Sequence, residues 1–189
     1  MTSFAREIIE LAGPSLVSDK EKIDWKGVER RVGTMLPEDY KALNSEYFAV
    51  NLGPFSVGTP RRGAPGCADP LEATMEAEEI FKEVYLDEPE EVSEAYKADG
   101  TPLGSRPEVP KFYPSVPGLL KWGMDQIGGQ FYWYVDGPPE LWTVVAQARD
   151  GWWDEHDMSM SEYMYRVIKG SVQCTVVEKV NVVGPLLRE

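Results

Sequence analysis

Histidine is almost missing from this chain: His156 is the only one in 189 residues. It lies in Asp154-Glu155-His156-Asp157, where consecutive side chains point in different directions. With no second histidine, the segment reads as an acidic surface turn before a helix, and no metal centre is expected. A Ser-His-Asp hydrolase would have to use His156, yet no G-x-S-x-G nucleophile elbow occurs. The chain has two cysteines, Cys67 and Cys174, far apart and without metal-ligand spacing. They read as two reduced thiols, which favours a cytoplasmic protein. Cys67 falls in a Gly/Pro loop beside Arg61 and Arg62 and reads as an exposed, idle thiol. Gly128-Gly129 is followed by no Lys-Ser/Thr pair, so it is a hairpin turn, not a phosphate loop. No apolar run approaches the ~20 residues that span a bilayer. The opening MTSFAREIIELAG carries Arg6, Glu7 and Glu10 and does not read as a signal peptide. No cofactor is expected.

Bases are scarce as well. Lys and Arg total 19 against 32 Asp and Glu, a formal charge of −13, with an isoelectric point near 4.6. Such a field repels a phosphate backbone, which argues against direct nucleic-acid binding, and it accelerates encounter with a basic protein. The charge is concentrated. Residues 72–94 hold ten acids and one base, Lys82, which is −9 of the −13. Within them Ala73, Ala77, Ile80, Phe81 and Val84 form an apolar stripe at helical spacing. Glu72, Glu76, Glu79 and Glu83 run along another side at spacings of four, three and four. A packed helix carrying an acidic ridge is therefore expected, held by burial of its stripe against mutual repulsion of the glutamates.

What the chain does have is aromatic residues in one place. Twelve of its 21 Phe, Tyr and Trp fall between Phe112 and Tyr165. Leu119–Met124, Gln130–Val135 and Leu141–Ala148 read as three strands separated by DQIGG and DGPP turns. Shorter strands are expected near 47–51 and 55–58, and a last one over 172–183. Helices are expected over 3–12, from Trp25 to a stop at Gly33, after Pro37, and after a Ser159-x-x-Glu162 capping box as far as Gly170. Residues 59–71 should be an exposed loop and 97–117 an extended connector. Trp152-Trp153 on extended backbone would point to opposite faces. One reading exposes a Trp rimmed by Asp154, Glu155 and Asp157 as an interface anchor; the other buries both as a cap on the aromatic core.

A Trp-bearing helix, then Gly33-x-x-Leu36-Pro37-x-Asp39-Tyr40 and a short helix, then Gly118-Leu119-Leu120-x-Trp122-Gly123 and Pro139-x-x-Trp142, resembles the SUKH superfamily, the Smi/Knr-like proteins. The matching positions run from about Trp25 to Gly170. The resemblance implies an α+β domain with a mostly antiparallel sheet flanked by helices. It divides the chain into an N-terminal helix and linker (1–24), a SUKH-like domain (25–170) with an insertion at about 59–110, and a C-terminal strand extension (171–189). Bacterial members of that family are commonly immunity proteins that neutralise a toxin, often a nuclease; fungal members regulate cell-wall synthesis. The expectation is a non-enzymatic, immunity-like inhibitor of a basic toxin. Its contact residues would be Glu72, Glu76, Glu79 and Glu83 together with Trp152, Trp153, Asp154, Glu155 and Asp157. Two alternatives stand beside it: a regulatory or scaffold protein of Smi/Knr type, and an enzyme built on scattered carboxylates such as Asp136 and Asp154.

Overall fold

Alternating large side chains along 118–156 become a sheet with two differently loaded faces. The computed structural model describes residues 3–18, 21–64, 68–83, 110–149, 153–172, 174, 176–177 and 187–188. Within them lie five helices, α1 (Ser3–Ala12), α2 (Trp25–Val32), α3 (Glu38–Glu46), α4 (Pro70–Lys82) and α5 (Met160–Ile168). Six strands, β1 (Val50–Leu52), β2 (Phe55–Val57), β3 (Gly118–Asp125), β4 (Gln130–Val135), β5 (Thr143–Gln147) and β6 (Trp153–His156), form one antiparallel sheet in the order 6-5-4-3-2-1. A two-residue strand, β7 (Leu187–Arg188), extends it beyond β1. The molecule is a single α+β domain.

Side chains of successive strand residues point to opposite faces, and this alternation sorts the core. Leu120, Trp122, Phe131, Trp133, Val144 and Ala146 face a main core closed by α1, α2, α3 and α5. Leu119, Tyr132, Val145 and Trp153 face the other way, onto Ala77 and Phe81 of α4 and onto Phe112. Trp122 and Trp133 are each 1% exposed, while Trp25 is only partly covered and donates to Ser45 Oγ at 3.2 Å.

The residues that carry the family resemblance are parts of this scaffold. Gly33 adopts φ 87°, a left-handed stop that an L side chain rarely adopts, and closes α2 through its N–H to Glu29 O. Leu36 is buried, and its N–H is taken by the Glu29 carboxylate at 3.0 Å. Tyr40 stands edge-on to Trp133 (5.1 Å between centroids) and to Trp25 (5.8 Å), and its hydroxyl donates to Gly58 O at 2.8 Å. Asp39 serves its own helix and also reaches across 122 residues of sequence. Its Oδ1 accepts from Tyr40 N at 2.8 Å and its Oδ2 from Ser161 N at 2.9 Å, so one buried carboxylate serves the N-terminal turns of both α3 and α5. Gly123 sits at a register shift in β3, where a Cβ would stand 2.8 Å from Ser56 O. Trp142 is buried, donates to Gly137 O at 3.0 Å and packs on Trp133.

Several expectations are corrected. The Asp154–His156 segment is the edge strand β6, not a surface turn, because Val144 to Gln147 offer it a full antiparallel ladder. The described residues of the expected 172–183 strand, Val172, Cys174, Val176 and Val177, are irregular; Val176 and Val177 pack into the main core, and the rest lies outside the described residues. The loop after β2 is not simply exposed. Thr59 and Arg61 are buried, with Arg61 Nη2 donating to Asn44 O at 2.8 Å. Only half of the capping box forms: Ser159 Oγ accepts from Glu162 N, while the Glu162 carboxylate turns to Arg166. Leu141 belongs to a 3-10 turn (Pro139–Leu141) and is exposed.

Candidate functional site

Helix α4 begins where Asp69 caps it, accepting from Leu71 N at 3.1 Å, with Pro70 in the first turn. Asp69 also holds Arg31 of α2 at 3.1 Å, which ties the helix start to the scaffold. Pro70, Thr74, Ala77 and Phe81 are its buried positions. The Thr74 hydroxyl accepts from Lys121 N at 2.8 Å, and Phe81 packs on Phe112 and Trp153. Ile80, expected in the buried stripe, is 53% exposed; Thr74 holds the inward position instead, because i, i+4, i+7 from Pro70 passes through 74 and 77. Val84 lies outside the described residues.

Directly opposite that anchored side, Glu72, Glu76, Glu79 and Glu83 are all exposed. At 100° per residue the four fall within an arc of ~60°. They form no ion pair among the described residues; the nearby Lys82 is engaged by Glu78 at 2.7 Å. Burial lowers the pKa of Lys121, and the charge of Glu76 partly offsets the shift. Met75 and Ile80 flank the glutamate row and are 54% and 53% exposed. Glu155, exposed on β6, shares the α4 side of the sheet with Trp153, two residues earlier. No described helix is long and apolar enough to cross a membrane.

Two residues of the Trp152–Asp157 segment, Trp153 and Asp154, are not open to a partner as expected. Trp152 lies outside the described residues. Trp153 is buried at 9% exposure, stacked on Tyr132 at 6.1 Å and edge-on to Phe81 at 6.2 Å. Asp154 points to the opposite face and is 2% exposed. Among the described residues of the segment, Glu155 and Asp157 are exposed. Burial of the pair follows from the edge-strand position: α4 covers one face of β6 and α5 the other. Asp136 and Asp154 are not brought together either. Asp154 is in register, through Ala146, with Phe131, five residues along β4 from Asp136, about 16 Å at the rise of a strand.

The same turn of β6 that removes Asp154 from the surface creates a cluster that local reading of the sequence missed. Asp154 and His156 share a strand face and meet Cys174, which arrives on the irregular segment after α5. Donor atoms of the three residues all lie within 4.8 Å of one another. His156 Nε2 is 3.3 Å from Asp154 Oδ2, in ion-pair range but not aligned as a hydrogen bond, so this buried nitrogen has no hydrogen-bond partner. The Tyr163 hydroxyl is 2.9 Å from Cys174 Sγ, and the His156 ring packs on the Tyr163 ring at 4.7 Å. Burial lowers the pKa of His156, but Asp154 and Cys174 beside it outweigh that and hold it up to about 9. Burial, reinforced by Cys174 and the carboxylates, pushes the Tyr163 phenol far above its ordinary range. The one legible signal was Asp-x-His, whose i, i+2 spacing puts both side chains on one face once the segment is a strand.

The fold and its outer helix define a single-domain α+β protein with one strongly acidic, solvent-facing side. The chain matches no protein-family model, no curated protein and no solved structure.

Proposed function

We propose that this protein is a non-enzymatic binding module of SUKH type, an immunity-like inhibitor whose α4 side docks on a basic protein, with a toxin as the favoured partner. The observation that carries this reading is the row Glu72, Glu76, Glu79 and Glu83. It stands opposite the buried side of α4 and has no cationic partner in an ion pair among the described residues. Like charges at those spacings cost a few tenths of a kcal/mol per pair, so the row lowers the helix's own stability. A basic partner would turn that cost into attraction. Met75 and Ile80, exposed beside the row, would supply the apolar contact that charge alone does not give. The action would be stoichiometric occlusion, with carboxylates standing where a nuclease would meet phosphates.

The test is Glu79→Lys with Glu83→Lys, which leaves Glu76 beside Lys121. A protein captured by the intact chain is identified, and its association is followed at low and high salt. Electrostatic steering predicts an association rate at least tenfold lower for the variant at low salt. The difference should narrow as salt compresses the Debye length to ~3 Å at 1 M. Equal, salt-independent association by both proteins removes α4 from the interface, and capture of no basic protein defeats the reading.

A further inference from the structure

We propose that Asp154, His156 and Cys174 form a binding site for one divalent first-row transition metal of the zinc class, fastening the segment after α5 to the edge strand β6. The inference stands apart from partner docking, which uses the other side of the sheet.

Three observations carry it. The first is geometry. A tetrahedral ion with nitrogen and oxygen arms of ~2.0–2.1 Å sets those two donors ~3.3 Å apart. His156 Nε2 and Asp154 Oδ2 are 3.3 Å apart. They are also not aligned on one another, as two ligands directed at a common point between them would be. A sulfur arm of ~2.3 Å calls for S···N and S···O separations of ~3.5 Å. All three donors already lie within 4.8 Å, so a shift of about 1 Å by Cys174 completes the triangle. Cys174 lies in no helix or strand, and the shift would have to stretch its contacts with the Tyr163 hydroxyl at 2.9 Å and the Val177 N–H at 3.4 Å.

The second is burial. His156 is 8% exposed and Asp154 2%. His156 Nε2 faces Asp154 at ion-pair distance without an aligned hydrogen bond, and an ion between the two would satisfy both buried groups. The third is donor chemistry. One imidazole, one thiol and one carboxylate form a mixed borderline set that suits Zn²⁺ or Co²⁺, whereas Mg²⁺ and Ca²⁺ require oxygen ligands. Cys174 is partly buried, and a water reaching the ion past its solvent side would be the fourth ligand. Tyr163, 2.9 Å from the sulfur, donates to the thiolate and orients it. Binding displaces the thiol proton and the imidazolium proton, and both leave to solvent.

The experiment uses the full chain in a Cys67→Ala background, stripped with a chelator and titrated with Co²⁺ and then Zn²⁺. One equivalent of Co²⁺ should produce a thiolate-to-cobalt charge-transfer band and four-coordinate d–d bands, and Zn²⁺ should displace both. Zinc at 100 times its Kd should raise Tm by about 5–10 °C. Cys174→Ser, which keeps a hydroxyl beside Tyr163, should abolish the charge-transfer band. His156→Gln should weaken binding at least tenfold. If that variant fails to fold, alkylation of Cys174 in the unmutated site gives the second reading: Zn²⁺ should slow it at least tenfold. Absence of the band, its survival in Cys174→Ser, or an alkylation rate indifferent to Zn²⁺ overturns the proposal.

Discussion

Replacing Asp39 by Ala should cost this fold about 3–4 kcal/mol, a large effect for one small side chain. The carboxylate is 2% exposed and accepts from Tyr40 N at 2.8 Å and Ser161 N at 2.9 Å. Hydrogen bonds to a charged group contribute ~1.5–3 kcal/mol each, and a partly buried anion at a helix N-terminus adds up to ~2 kcal/mol. The two contributions overlap, and solvation of the carboxylate in the unfolded chain offsets part of their sum. Alanine leaves both amides without that acceptor in a buried site. Asparagine keeps an acceptor and loses the charge, so Asp39→Asn should cost about 1–2 kcal/mol. With Tm moving ~2–4 °C per kcal/mol at this size, the alanine variant should melt about 10 °C lower. Glu38→Ala is the control, since Glu38 is 72% exposed and its ion pair with Lys41 contributes little at the surface. Urea denaturation gives the energies, and amide exchange locates the damage: Ser161 should lose protection more than residues of α1. If Asp39→Ala lies within 0.5 kcal/mol of the parent (a margin of ordinary surface substitutions), or Ser161 exchange is unchanged, the bridging-cap reasoning is wrong.

Phe81→Ala should cost about 3 kcal/mol and expose Trp153, because Phe81 links α4 to Phe112 and Trp153; a red shift in tryptophan emission checks it. Gly123→Ala should cost about 1–3 kcal/mol in a thermal melt, since its Cβ would sit 2.8 Å from a backbone oxygen of the neighbouring strand. Glu29 bonds Leu36 N and Lys41 Nζ, each at 3.0 Å. Burial raises its pKa, but these two bonds outweigh that and hold it below the ordinary value. Its stabilisation is therefore present above the unfolded pKa of ~4.3 and is lost as pH falls through the folded value. Lys41 has the opposite sign. Burial lowers its pKa, but Glu38 and Glu29 outweigh that and raise it above the ordinary value, so its share is lost as pH rises through that raised value. The stability gap between Glu29→Gln and the parent should thus be widest near neutral pH and close in acid, as denaturant titrations at several pH values would show.

Elements written in local periodicity were legible in the sequence. Alternation and turn residues placed β3, β4 and β5, helical spacing and Gly33 bounded α2, and the glutamates of α4 were read on its outer side from their spacing alone. These follow from backbone geometry within a few residues, which needs no knowledge of distant neighbours. Tertiary structure decided what depends on a partner far along the chain. β6 became a strand because β5 offered it an edge, and that ladder buried Trp153 and Asp154 on opposite faces instead of leaving them as one patch. Asp39 acquired its second role only when α5 docked above it. His156 found Cys174 because the segment after α5 folds back onto β6, a meeting of residues eighteen apart that no local spacing encodes. Side-chain direction follows from the strand or helix a residue joins, as Asp154 and His156 share a face of β6, but neighbours from elsewhere are set by packing between elements, and Cys174 joins that pair only through such packing.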